Sequence, residues 1–172
     1  MSGPTNVDNL ADRIDTFLVS HHVMSLATIG PDGAHATSLF YACDGLSLIW
    51  VSEPTTRHSR HIEADPRVTV TVAPDYASFG EIVGLQIAGQ ARRVTERERD
   101  VHLARLETRY PFLQRLAEGP AAMQTAYARI AVYRLQPSRI VLIDNTRGFG
   151  HKETLEIGAS TPAARREHSD NH

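Results

Sequence analysis

The chain has a single cysteine, Cys43, in 172 residues. One thiol excludes an internal disulfide and any zinc site built on several thiolates. No stretch approaches the ~20 consecutive apolar residues of a membrane-spanning helix. The first residues, MSGPTNVDNL, carry neither a basic segment nor an apolar one. They do not read as a signal peptide, so the expected location is the cytoplasm. Strong charge of one sign is missing as well: 18 Lys and Arg stand against 20 Asp and Glu, a formal net charge of −2. No global field recruits nucleic acid or an anionic membrane, and neither is expected as a partner. Internal repeats and the two common glycine-rich phosphate loops are absent. What is present fits one domain with a real core, 41% hydrophobic and 22% charged.

The elements follow from periodicity. Leu10, Ile14, Phe17 and Leu18 recur at helical spacing behind a cap at Asp8 or Asn9. Three strands are expected over 23–29, 34–42 and 46–52, joined by turns at GPDG and CDG. A short helix over 55–64 stops before Pro66, and RVTVTVA alternates strictly as a strand over 67–73. A loop, PDYASFGE, leads to a long strand over 81–94 with two glycines that imply bends. A charged helix follows, with Val101, Leu103, Leu106 and Tyr110 near one face, then a further turn or two of helix ending at Gly119-Pro120. The last β segment spans 128–145, interrupted at Gln136-Pro137-Ser138. The pattern predicts a mainly β domain over 1–157, a six-stranded antiparallel barrel with inserted helices. Residues 158–172 are small, polar and charged, the composition of a disordered tail.

The junction TTRHSRHIEADPRVTVTV asks for a functional explanation. A helix starting there offers free N–H groups and the positive end of its dipole. Ser52, Thr55, Thr56, Arg57 and His58 supply hydroxyls and basic groups that suit a phosphate. The same residues also read as a capped surface helix. Arg60 and His61 lie deeper in the helix and are weaker candidates. His58 and His61 have an i, i+3 spacing open to two metal ligands, but no carboxylate–histidine motif stands beside them.

This order of elements resembles the flavin-binding split barrels related to pyridoxamine 5′-phosphate oxidase. There a strand ends, a Ser/Thr-Arg-Lys segment holds the flavin phosphate, and a helix of the type HxIxxxP leads to an alternating strand. Thr56-Arg57-His58 and RHIEADPRVTVTV match that run, with His58 where the family usually has lysine. DNTRGFGHK, residues 144–152, looks like the terminal motif of a small, poorly characterised branch of the superfamily. The resemblance implies a homodimer with FMN in two grooves at the subunit interface. It implies that Thr37, Ser38 and Leu39, with Gln86 from a neighbouring strand, lie along the flavin ring, while Arg147 and Lys152 reach an anion. The implied activity is that of a small FMN-dependent oxidoreductase acting on a small molecule, with electrons from that substrate or from a reduced nicotinamide. No side chain stands out as a general acid or base. A non-catalytic flavin module, a deazaflavin cofactor and haem held by His22, His35 or His151 are the alternatives. Trp50 reads as a core or dimer-interface residue, and Cys43 has no base near it in sequence.

Overall fold

The computed structural model describes residues 9–158. The expected tail lies outside them apart from Gly158. Helix α1 (Leu10–Ser20) opens the chain, and the Asn9 side chain accepts from the Ala11 N–H as its cap. Eight strands follow: β1 (Val23–Gly30), β2 (Gly33–Phe40), β3 (Ala42–Asp44), β4 (Ser47–Ser52), β5 (Arg67–Val72), β6 (Val83–Arg93), β7 (Ala131–Asp144) and β8 (Lys152–Glu156). Helix α2 (Arg57–Ala64) joins β4 to β5, and α3 (Glu96–Arg109), α4 (Phe112–Glu118) and α5 (Ala121–Arg129) lie between β6 and β7. The strands form one antiparallel sheet in the order β2-β1-β5-β6-β7-β4-β3, with β8 paired to β7.

The six expected strands are all there, and the two additional ones are short. The third expected element divides at Tyr41 into β2 and β3, and β8 follows the terminal motif. KETLE has too few residues and too much charge to announce a strand. It pairs because the Asn145–Arg147 3-10 turn folds it back along β7. The expected interruption at Gln136–Ser138 is a bulge rather than a break. Ala88 pairs with Arg139 and Gly89 with Pro137, so Ser138 is skipped in the β6 register and β7 continues. Residues 121–127, assigned to no element by periodicity, belong to α5, which runs to Arg129 and delays the last strand to Ala131.

The sheet curls around a core because its strands alternate. Met24 and Leu26 of β1, Val68, Val70 and Val72 of β5, and Leu85 and Ile87 of β6 face inward, where Ile14 and Leu18 of α1 close over them. Trp50 is fully buried and stacks on Tyr133 at 5.8 Å, which places it in the core. Strand β4 is covered on both faces. Its Ile49 meets a second cluster with Leu103, Leu106, Tyr110 and Leu113 from the α3–α4 layer. Val101 does not belong to that face. It is 60% exposed, while His102 takes a buried place on the helix. No helix among the described residues is long and apolar enough to cross a membrane.

The outer face of the sheet has another character. Ser38, Ser25, Thr71, Gln86, Val141 and Thr154 lie side by side across six strands in register. The neighbouring row begins Ala36, Ala27, Thr69, Ala88. Small or uncharged side chains therefore line the middle of this exposed face, while Arg67 of β5 and the Arg139–Glu156 pair of β7 and β8 put charge at its edges.

Gly89 pins the bulge. A Cβ there would meet the Gln136 carbonyl oxygen at 2.2 Å and the Pro137 Cα at 2.9 Å, and both are backbone atoms that cannot rotate away. Gly89→Ala is expected to destabilise the fold by about 2–4 kcal/mol in urea melts. Gly80→Ala, with nothing within 4 Å, is the control and is expected to be near neutral. Equal stability of the two variants would show that the bulge does not constrain the barrel.

Candidate functional site

The N-terminus of α2 sits where β4 ends, beside the β1–β2 turn. Thr56 is the N-cap residue, yet its side chain does not cap the helix. Its hydroxyl instead donates to the Glu53 carbonyl at 2.9 Å and lies 2.8 Å from Ser59 Oγ. Among the described residues no side chain caps the first-turn N–H groups of α2. His58 is buried, with Nε2 2.6 Å from Ser52 Oγ and 3.2 Å from Thr56 Oγ1. Burial lowers its pKa below the ordinary histidine value, and the imidazoles of His35 and His61 add to the shift. At neutral pH this residue is a hydrogen-bonding group and not a cation. Thr55 is exposed and approaches only Glu53, at 3.4 Å.

Arg57 points to the turn. Its Nε lies 2.8 Å from Asp32 Oδ2, and its Nη2 donates to the Asp32 carbonyl at 3.0 Å. His61, one helical turn on, is 3% exposed. Its Nε2 is 2.7 Å from Asp32 Oδ1, and its Nδ1 is 3.1 Å from Thr28 Oγ1. A carboxylate only accepts, so Nε2 carries a proton toward Asp32, while Nδ1 hydrogen-bonds the Thr28 hydroxyl. The hydrogen bond from His61 holds the Asp32 carboxyl below the usual carboxylate range, helped by the Arg57 charge. The ring fits because residue 30 is glycine. A Cβ there would lie 2.3–2.8 Å from three atoms of the imidazole. His35 on β2 completes the cluster, parallel to His58 at 6.2 Å and edge-on to His61 at 6.1 Å. Its ring nitrogens have no hydrogen-bond partner among the described residues. Among those residues, no His, Cys, Asp and Glu group has metal-binding geometry.

The structure thus brings together Ser52, Thr56, Arg57 and His58, with Thr55 at the rim. Thr37 and Leu39 face the same side of β2 as His35, since all three are partly buried in an alternating strand. Ser38 and Gln86 point the other way, onto the outer face. Arg147 and Lys152 lie on the β7–β8 hairpin. There Arg147 pairs with Glu153 at 3.0 Å, while Lys152 is exposed and makes no ion pair among the described residues. Glu153 also binds Arg13 of α1 and is held at a pKa of about 2, chiefly by that hydrogen bond. Cys43 is no nucleophile at neutral pH, because burial pushes its thiol up to about 11.

Asp32, Thr28 and Gly30 carry much of this geometry and had no functional reading in the sequence. GPDG looks like any tight turn, and only the packing of α2 shows that its aspartate faces the helix. A groove of about 910 Å³ runs over the outer face of the sheet past Ala27, Arg67, Thr69, Ala88 and Gln136, and it shares only Thr28 with the cluster around α2. That volume suits one mid-sized organic ligand.

The curled antiparallel sheet and the helix that follows its fourth strand define a split barrel. A family model described as pyridoxamine 5′-phosphate oxidase matches residues 10–142, and the chain belongs to that family. A UPF0306 protein of Photorhabdus laumondii is 26% identical over 141 residues, covering 81% of this chain and 90% of that protein. Among solved structures, a conserved hypothetical protein of Mycobacterium tuberculosis superposes with a TM-score of 0.66 at 21% identity, covering 94% of this chain and all of the other. A heme binding protein of Mycobacterium smegmatis gives 0.65 at 20% identity, covering 91% of this chain but 60% of that one. At such identities the structures share the fold.

His58 also makes stability depend on pH. Folding depresses its pKa, so below the ordinary value near ~6.5 the unfolded chain takes up a proton that the folded chain resists. Its contribution is complete above that value and is lost as pH falls through the window beneath it. His58→Gln is expected to lose less stability than the parent between about pH 7.5 and about pH 5.5 in denaturant titrations. Identical losses would mean that His58 protonates without penalty.

Proposed function

We propose that this chain is an FMN-binding protein acting as a small FMN-dependent oxidoreductase in the cytoplasm. The observation that carries the reading is the uncapped N-terminus of α2 with Thr56 and the Arg57 guanidinium beside it. Free N–H groups, hydroxyls and a guanidinium are the donor set that a phosphate monoester requires. Ser52, Thr55 and Thr56 supply the hydroxyls, and His58 acts as a neutral donor or acceptor. Thr37 and Leu39 lie where a ring can run along β2. When bound, FMN supplies hydride and electron transfer, and the chain's residues bind it, orient it and exclude water. The electrons come from a small-molecule substrate or a reduced nicotinamide. A deazaflavin with a phosphate-bearing tail would use the same donors.

The working form is a homodimer. Its support is the outer sheet face, where Ser38, Ala36 and Gln86 stand among small uncharged residues on an open surface. Pairing two such faces would bring Gln86 and the hairpin residues Arg147 and Lys152 near the partner's groove. Haem is the second reading. What favours it is the likeness in fold to a heme binding protein, together with the unpartnered ring nitrogens of His35 beside the cluster.

Arg57→Ala is expected to weaken FMN binding about 10–100-fold, the loss of one charge-assisted contact to phosphate, with the melting curve preserved. Fluorescence quenching of FMN by the titrated protein reads the affinity. Unchanged affinity would remove α2 from the phosphate site.

A further inference from the structure

The Arg57 and His61 side chains lie one helical turn apart, on one face of α2, and converge on a single carboxylate. We propose that they form a forked grip for the ligand's phosphate, and that Asp32 is the internal anion that occupies this grip in the ligand-free chain. The inference rests on the reading of α2 as the phosphate site. It adds His61 to the binding residues and makes Asp32 the competitor that sets affinity.

The carboxylate is held by one hydrogen bond and one ion pair. One Asp32 oxygen takes the His61 Nε2–H at 2.7 Å, while the other is ion-paired with Arg57, whose Nε lies 2.8 Å away without hydrogen-bond alignment and whose Nη2 donates to the Asp32 backbone carbonyl. Two oxygens of a phosphate are gripped by separate donors in the same manner. The two sides of the contact are built differently. His61 is locked, with its ring against Gly30, its Nδ1 on the Thr28 hydroxyl and almost no exposure. Asp32 sits at a turn tip with its side chain 59% exposed, so water can take its carboxylate at little loss. A fixed imidazole donor and a partly exposed guanidinium facing a loosely held acceptor make a site whose acceptor can be exchanged. A phosphate dianion carries more charge than the carboxylate and also meets the free N–H groups of α2, so it displaces Asp32. A carboxylate-bearing ligand gains no such advantage, so the competitor also sharpens selection for phosphate.

The test titrates FMN into the full chain and its variants, with riboflavin, which lacks the phosphate, as the control. Asp32→Asn retains a side chain that accepts from His61 and removes the competing charge. It is expected to tighten FMN binding about tenfold or more and leave riboflavin unchanged. Adding Arg57→Ala or His61→Gln to Asp32→Asn is expected to abolish the gain. Asp32→Ser repeats the measurement should the asparagine variant melt early. Unchanged or weaker FMN binding by both Asp32 variants, with Arg57→Ala still harmful, would overturn the competitor and leave the phosphate site standing. A gain that survives His61→Gln would overturn the fork. Wild-type affinity in Arg57→Ala would remove the phosphate reading and this inference together.

Discussion

The imidazole of His61 packs closely against Gly30, and the geometry of the site hangs on that contact. It sets α2 on the barrel with its first turn facing the β1–β2 turn. Any side chain at position 30 would push the ring outward, and the Thr28 and Asp32 hydrogen bonds would go with it. Both bonds are made by a buried polar group, so losing them leaves unsatisfied nitrogen in the interior, a penalty of about 1–3 kcal/mol for each atom. The helix therefore has one well-defined seat. Arg57, one turn before His61, is aimed by that seat, and the uncapped N–H groups are presented beside it.

Charge at this seat is nearly balanced. Arg57 is the cation, Asp32 its anion, and burial keeps His58 neutral. A phosphate arriving here does not meet a strongly basic patch like the lysine-bearing pattern that the sequence resembles. It meets backbone N–H groups and hydroxyls, with one guanidinium that must change partner. On the proposed reading, binding would draw on preorganised dipoles more than on net charge.

Much of the barrel was legible because its strands alternate. RVTVTV buries every second residue as written, and the turn residues of GPDG and CDG stand where the sheet reverses. Local pattern did not reveal β8, whose pairing depends on the hairpin that precedes it, or α5, whose AAMQTAYAR has no buried stripe. The same limit governs the site. Thr56, Arg57 and His58 are neighbours in sequence, and their grouping could be read directly. Asp32, Thr28 and His35 come from two strands and a turn at least twenty residues away, and only the packing of α2 unites them. Ser38 and Leu39 are adjacent in sequence, yet the strand's pleat sends them to opposite faces.

The central claim is that the α2 seat holds the phosphate of a flavin. The most direct measurement is the absorbance spectrum of the purified chain, taken alone and with FMN or haem added. The account predicts flavin bands that shift on the protein together with quenched flavin fluorescence. A protein that ignores FMN and develops a Soret band with haem would contradict it.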